Sequence, residues 1–110
     1  MSKPKALIFI SGNGSNLLNI INQVNSGYIN MKIIAVVSDN PNAKGLKKAQ
    51  IAKIETIVLD IFKDSFSALS NIIDSNSIDV LILAGFMRIL PKEFTDRYDG
   101  KILNIHPSLL

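Results

Sequence analysis

An asparagine and the chain's single histidine lie two residues apart near the end of the sequence, in Asn104-Ile105-His106-Pro107. Alternate residues of an extended strand share a face, so Asn104 and His106 are predicted to point the same way. An amide that holds a developing oxyanion beside an imidazole that moves a proton near neutral pH suits acyl chemistry. A capped strand end with a structural histidine explains the pattern about equally well. Metal binding is not expected, because the chain has one histidine and no cysteine.

A polar loop containing two glycines, Ser11-Gly12-Asn13-Gly14-Ser15-Asn16, follows the first apolar run of the chain. Glycines let backbone amides approach an anion, and the start of the next helix adds free N–H groups and a favourable dipole, so the loop suits a phosphate. A plain turn with Ser15 as the helix cap is an equally good interpretation. A dinucleotide site is disfavoured, since Leu17 occupies the third glycine position of that pattern, and Asp39 is expected to be a turn residue.

A third segment, Leu83-Ala84-Gly85-Phe86-Met87-Arg88-Ile89-Leu90, carries bulky apolar side chains where a loop is usually polar. One interpretation is an apolar slot for a flat ligand. Packing of Phe86, Met87 and Ile89 against the edge of a sheet, beneath a helix, is favoured over that slot by the sequence alone.

Apolar runs and helical periodicities alternate along the chain and must position these three segments. Strands are predicted at 5–11, 31–37, 56–59, 80–84 and 101–105. Four helices are predicted. The first begins at residue 16 and is terminated by Gly27, the second covers 44–54 and the third 62–76. The last begins with Pro91 in the first helical position and is closed by Gly100. Strict alternation predicts an α/β fold, a doubly wound, Rossmann-like parallel sheet with helices on both faces. Ligands of such sheets bind beyond the carboxyl ends of the strands, where all three segments fall.

Composition limits the classes of protein that remain. The chain has 110 residues, 47% of them hydrophobic, which fits a single globular domain over 1–110. No signal peptide or membrane span is expected, and a cytoplasmic location is consistent with the absence of cysteine. The net charge is +3 and the lysines are scattered, so no nucleic-acid partner is predicted. The oligomeric state is not readable from the sequence.

Together, the segments at 11–17, 83–90 and 103–110 resemble the phosphoribosylglycinamide formyltransferases, and the resemblance covers nearly the whole chain. The last segment is similar in other folate-dependent formyltransferases, including methionyl-tRNA formyltransferase, and in formyltetrahydrofolate deformylase. The first segment is more specific, because it resembles the glycinamide ribonucleotide enzymes and the other two families carry different residues in that loop. The resemblance implies transfer of a formyl group from 10-formyltetrahydrofolate, as co-substrate and without a metal, to glycinamide ribonucleotide in purine biosynthesis.

The same resemblance implies a role for each matching residue. Gly14, Ser15 and Asn16 would hold the substrate phosphate. Asn104 would bind the formyl oxygen and His106 would act as the acid. The folate pocket would be lined by Lys63, Met87, Arg88, Ile89, Leu90 and Asn104, although Lys63 stands where relatives usually carry an arginine.

Members of that family are about twice as long as this chain. We therefore expect an N-terminal, substrate-phosphate half that is inactive alone, because the remainder would supply the aspartate that raises the pKa of the histidine. The alternatives are another folate-dependent formyltransferase or deformylase, and a non-catalytic phosphate-binding α/β module.

Overall fold

The computed structural model describes residues 3–59, 65–86 and 90–105. Its strands are β1 (Lys5–Ile10), β2 (Lys32–Ser38), β3 (Glu55–Val58), β4 (Val80–Ala84) and β5 (Ile102–Ile105). Its helices are α1 (Ser15–Asn25), α2 (Lys44–Ile51), α3 (Ser65–Ser75) and α4 (Lys92–Arg97). The five predicted strands are confirmed, each to within one residue at either end.

The strands form one sheet in the order β3-β2-β1-β4-β5, and all four neighbouring pairs are parallel. Strand β1 is central, and its residues from Ala6 to Ile10 are fully buried, as expected for a strand covered on both faces. The chain runs outward from β1 to β3 on one side and then crosses to β4 on the other. The carboxyl ends of β1 and β4 therefore flank the point where the strand order reverses, which is the usual binding crevice of such sheets.

Helices cover both faces of the sheet, which confirms the doubly wound prediction. Helices α1 and α2 pack on one face through Leu17, Ile20, Ile21, Leu46 and Ala49. Helices α3 and α4 pack on the other through Leu69, Ile73, Phe94 and Tyr98. No helix among the described residues has the length and hydropathy needed to cross a bilayer.

Two predicted helix starts are wrong in detail. Ser15 is the first residue of α1 rather than its cap, because Gly14 occupies the cap position with a left-handed φ of 78°. The side-chain oxygen of Asn13 instead accepts the Ser15 amide proton at 3.1 Å. Pro91 likewise precedes α4 in an extended conformation, with ψ of 144°, and does not occupy the first helical position.

The helix ends also differ from expectation. Helix α2 ends at Ile51, three residues before the predicted end, and Lys53 then adopts a left-handed φ of 62°. Its turn is closed by a hydrogen bond from the Ile54 amide to the Ala49 carbonyl at 2.9 Å. The predicted start of α3 lies outside the described residues. Gly27 follows α1 with φ of 83°, and this predicted stop is confirmed.

Strand β5 forms one edge of the described sheet, where it pairs with β4. Leu103 is 51% exposed although it belongs to a strand, and Asn104 beside it is also exposed. The two faces of β5 are therefore less covered than those of β1.

Candidate active site at the carboxyl edge of the sheet

The loop after β1 and the first turn of α1 present backbone amides to the crevice. Gly14 is buried at the base of the loop, and its carbonyl accepts the Leu18 amide proton at 2.9 Å, which starts the helix. The next amides, those of Asn16 and Leu17, fall in the first turn, where a helix offers no carbonyl partner. Ser15 is exposed and Asn16 half-buried beside them. This combination of free amides and a positive helix end suits an anion.

Hydrogen bonds connect this loop to the end of β2 and to the start of α2. The Ser11 hydroxyl donates to the Asp39 carboxylate at 3.0 Å, and the Gly45 amide donates to the Gly12 carbonyl at 3.1 Å. Asp39, expected only to form a turn, therefore also contacts the loop. The register of β1 and β2 pairs Ile10 with Ser38, which places the next residue of each strand side by side. Neither contact is predicted from the sequence. The parallel pairing of β1 with β2 is the signal that could have revealed the contact between Ser11 and Asp39.

Leu17 supports the case against a dinucleotide site. Its side chain is fully buried in the cluster between α1 and the sheet. A dinucleotide-binding loop needs a glycine at this position so that helix and strand can approach closely. Here a leucine side chain fills that space.

The loop after β4 approaches the start of α1 directly. Gly85 has φ of 72°, and a Cβ placed on it would lie 3.9 Å from the side-chain nitrogen of Asn16. Phe86 turns back to the core, with its ring 5.6 Å from that of Phe9 in an edge-on contact. Leu90 is buried in the same cluster. The packing interpretation therefore describes Phe86, while Met87 and Ile89, the other residues it names, lie outside the described residues. Because the Leu90 side chain is buried, its backbone groups are what it offers a ligand.

Asn104 extends the crevice along β5. It pairs in register with Leu83 of β4, and paired residues share a face of the sheet. Leu83 packs against the α3–α4 cluster and Ile105 against the α1–α2 cluster, so Asn104 and Ile105 face opposite ways as predicted. The Asn104 side chain is exposed at this edge.

The remaining predicted site residues, Lys63, Met87, Arg88, Ile89 and His106, lie outside the described residues. Within the part described, Asn16, which follows Gly14 and Ser15 directly, lies beside Gly85. Asn104 follows on the next strand but one from β1.

A charged cluster joins two helices rather than the loops. Arg97 of α4 donates to the Tyr98 hydroxyl at 3.2 Å and to the Asp74 carboxylate of α3 at 2.8 Å. These hydrogen bonds raise the pKa of the Arg97 guanidinium above its already high ordinary value, so the group stays charged at every physiological pH. It is half exposed and contributes little to stability.

A cavity of about 480 Å³ lies between α2 and β3, lined by residues that include Lys44, Lys47 and Val58. None of the described residues that line it is among the predicted site residues. The crevice where the strand order reverses is the better candidate, because the first turn of α1 meets Gly85 there through Asn16. Asn104 lies at the same edge of the sheet, on β5 next to β4.

The comparisons with known proteins agree with one another. The formyl transferase family model matches residues 4–110. Phosphoribosylglycinamide formyltransferase of Haemophilus influenzae is 42% identical over 96% of this chain and 52% of its own length. The trifunctional purine biosynthetic protein adenosine-3 of Gallus gallus is 40% identical over 99% of this chain and 11% of its own length. The crystal structure of phosphoribosylglycinamide formyltransferase from Coxiella burnetii superposes with a TM-score of 0.86 at 39% identity, covering 96% of this chain and 52% of that one. This chain therefore spans about half the length of its single-function relatives.

Proposed function

We propose that this chain, which belongs to the formyl transferase family, is the N-terminal part of an enzyme that formylates glycinamide ribonucleotide in purine biosynthesis. The observation that carries the proposal is the arrangement of residues at the point where the strand order reverses, between β1 and β4. There Asn16, in the first turn of α1, lies beside Gly85, and Asn104 is on β5, two strands from β1. The similarity to phosphoribosylglycinamide formyltransferases over nearly the full chain supports the same activity.

The substrate phosphate is assigned to Gly14, Ser15 and Asn16. Helix α1 directs its positive end at this position, and the exposed Ser15 hydroxyl adds a donor beside the amides. Gly14 contributes shape as well, since its left-handed φ turns the chain sharply into the helix. The ribose and amine of the substrate would then extend from α1 toward β4 and β5.

The folate co-substrate supplies the formyl group and is assigned to the loop after β4. Leu90 is buried in the core, so its contribution is through backbone groups. Met87, Arg88 and Ile89 complete this loop, and Lys63 is the proposed cation for the acidic end of the folate. In the sheet β4 lies between β1 and β5, and this order supports a folate position between the phosphate site and Asn104, as transfer between two substrates requires.

The chemistry is a direct transfer in which the substrate amine attacks the formyl carbon. Negative charge develops on the formyl oxygen, and the Asn104 amide donates a hydrogen bond to it. The bond between the formyl carbon and the folate nitrogen then breaks. His106, acting as the acid, protonates the tetrahedral intermediate at that nitrogen, and the proton that the amine loses passes to His106, so that the protons balance. No covalent bond to the protein is needed.

The test is an assay of the native polypeptide, whose intact mass is first measured in its source cells. With glycinamide ribonucleotide and 10-formyltetrahydrofolate, we expect formylglycinamide ribonucleotide to accumulate. The variant His106→Ala is expected to lose most of the turnover. Lys47→Ala, an exposed change on α2, is the matched control and should retain it.

Two results would contradict the proposal. Release of free formate at the same rate with and without glycinamide ribonucleotide would indicate a deformylase, in which water replaces the amine. Binding of the phosphate ester with no consumption of formyl-folate, unchanged by His106→Ala, would indicate a phosphate-binding module.

A further inference from the structure

Helix α2 contains a glycine in its first turn that the helix itself does not require. Gly45 is the second residue of α2 and is buried. Glycine inside a helix is less favourable than alanine, because it loses more backbone entropy on folding. Its φ does not fall in the left-handed region, where glycine would be needed. The reason for a glycine at this position must therefore lie in its neighbours.

Those neighbours are the end of β1 and the proposed phosphate loop. A Cβ placed on Gly45 would lie 2.5 Å from Cδ1 of Ile10 and 3.0 Å from the Cα of Gly14. Conversely, a Cβ on Gly14 would lie 2.6 Å from the Cα of Gly45. The two backbones are in direct contact, and neither position leaves room for a side chain.

The contact is also a hydrogen-bonded one. The Gly45 amide donates to the Gly12 carbonyl at 3.1 Å. Helix α2 thus touches the loop at Gly12 and again at Gly14, and Gly14 is itself one of the residues assigned to the phosphate. A displacement of Gly14 would be passed to the first turn of α1, because the Gly14 carbonyl accepts the Leu18 amide proton at 2.9 Å.

We infer that Gly45 is a positioning residue for the phosphate site: its lack of a side chain lets α2 fix the loop 11–14, and hence the first amides of α1, in the shape that binds the substrate phosphate. The inference rests on the proposed function and adds to it a residue about 30 positions from the loop. Gly45 itself need not touch the substrate.

The test is Gly45→Ala in the native enzyme. We expect the KM for glycinamide ribonucleotide to rise at least about tenfold with kcat much less affected, since a misplaced binding group weakens binding before it affects the reacting atoms. The KM for formyl-folate should change by less than about twofold. With the substrate analogue that lacks the phosphate, wild type and variant should have similar KM values.

A second variant separates displacement of the loop from a clash in the core. Ile10→Val removes the Cδ1 atom that the new Cβ would meet but leaves the contact with Gly14 unchanged. In the double variant we expect thermal stability to recover while the KM stays high. Ala49→Gly, a buried change one turn further along α2, is the matched control that lowers stability without touching the loop.

The outcomes are distinct. An active wild type whose KM is unchanged by Gly45→Ala would overturn the inference, as would a double variant in which KM recovers together with stability. A wild type that does not formylate glycinamide ribonucleotide would instead overturn the proposed function.

Discussion

Asn104 is the proposed catalytic group whose position is described, and its exposure allows a clean test at the level of one residue. In the native enzyme, Asn104→Ala is expected to lower kcat by about 10²–10³, the usual cost of removing one donor to a developing oxyanion. Because the side chain is exposed in this structure, the urea midpoint of the 110-residue chain should hardly change. Asn22→Ala, an exposed change on α1, serves as the control. Retention of full turnover by Asn104→Ala would contradict the assignment.

Single residues also show what the sequence does and does not reveal about the site. The segment at 11–16 and the described residues 85–86 follow β1 and β4 at the expected edge, and Asn104 lies near the end of β5. These positions are predictable because chemically unusual loops after apolar runs can be seen in the sequence itself. The contact that Gly45 makes with Gly14, about 30 residues away, is not predictable in this way, since a glycine at a helix start carries no local signal for it. The prediction for Ser15 is wrong because the left-handed φ of Gly14 moves the helix cap by one residue.

At the level of the helices, the turn after α2 contains backbone strain that a substitution can relieve. Lys53 after α2 has a left-handed φ of 62°, which disfavours any residue with a Cβ, whereas Gly27 follows α1 in the same region without strain. Lys53→Gly is expected to raise the free energy of unfolding by roughly 0.5–1 kcal/mol, measured by urea denaturation.

Lys48→Gly is the matched control for this change. It places a glycine inside α2 and should lower the free energy of unfolding by about 1 kcal/mol. If Lys53→Gly also destabilised the chain, the relief of backbone strain at residue 53 would be smaller than the entropy that the added glycine loses on folding.

Strands are easier to predict from the sequence than helix ends. Each strand is a short apolar run bounded by polar turn residues, so its limits are marked in the sequence itself, as at Val80–Ala84. The end of α2 depends instead on the Ile54 amide reaching the Ala49 carbonyl, a choice between two hydrogen-bond patterns of similar energy. Hydrophobic periodicity alone predicts that such a helix continues to the last residue of its apolar face.

For the molecule as a whole, the position of the site at a sheet edge limits what the 110 residues can do. Asn104 is exposed on β5 and Leu103 beside it is 51% exposed. A hydrogen bond to a developing charge is weak in such a wet, high-dielectric setting. The isolated 110-residue chain is therefore expected to show no turnover with glycinamide ribonucleotide and formyl-folate.

The measurement is product formation by the isolated chain compared with a chain extended to the length of the Haemophilus influenzae relative. The isolated chain should still give a cooperative thermal transition, because its two core clusters are complete around β1. Turnover of the isolated chain close to that of the extended one would show that the exposed edge does not limit catalysis.

The central place of β1 has a consequence for how the protein is made. This strand leaves the ribosome before one of its two partners, β4, which begins about 70 residues later. At ordinary translation rates of about 5–20 residues per second, roughly 4–14 seconds pass before that partner exists. During this interval a strand that is fully buried in the finished fold has one edge unpaired, so nascent chains of this protein are expected to depend on chaperones that bind extended apolar segments.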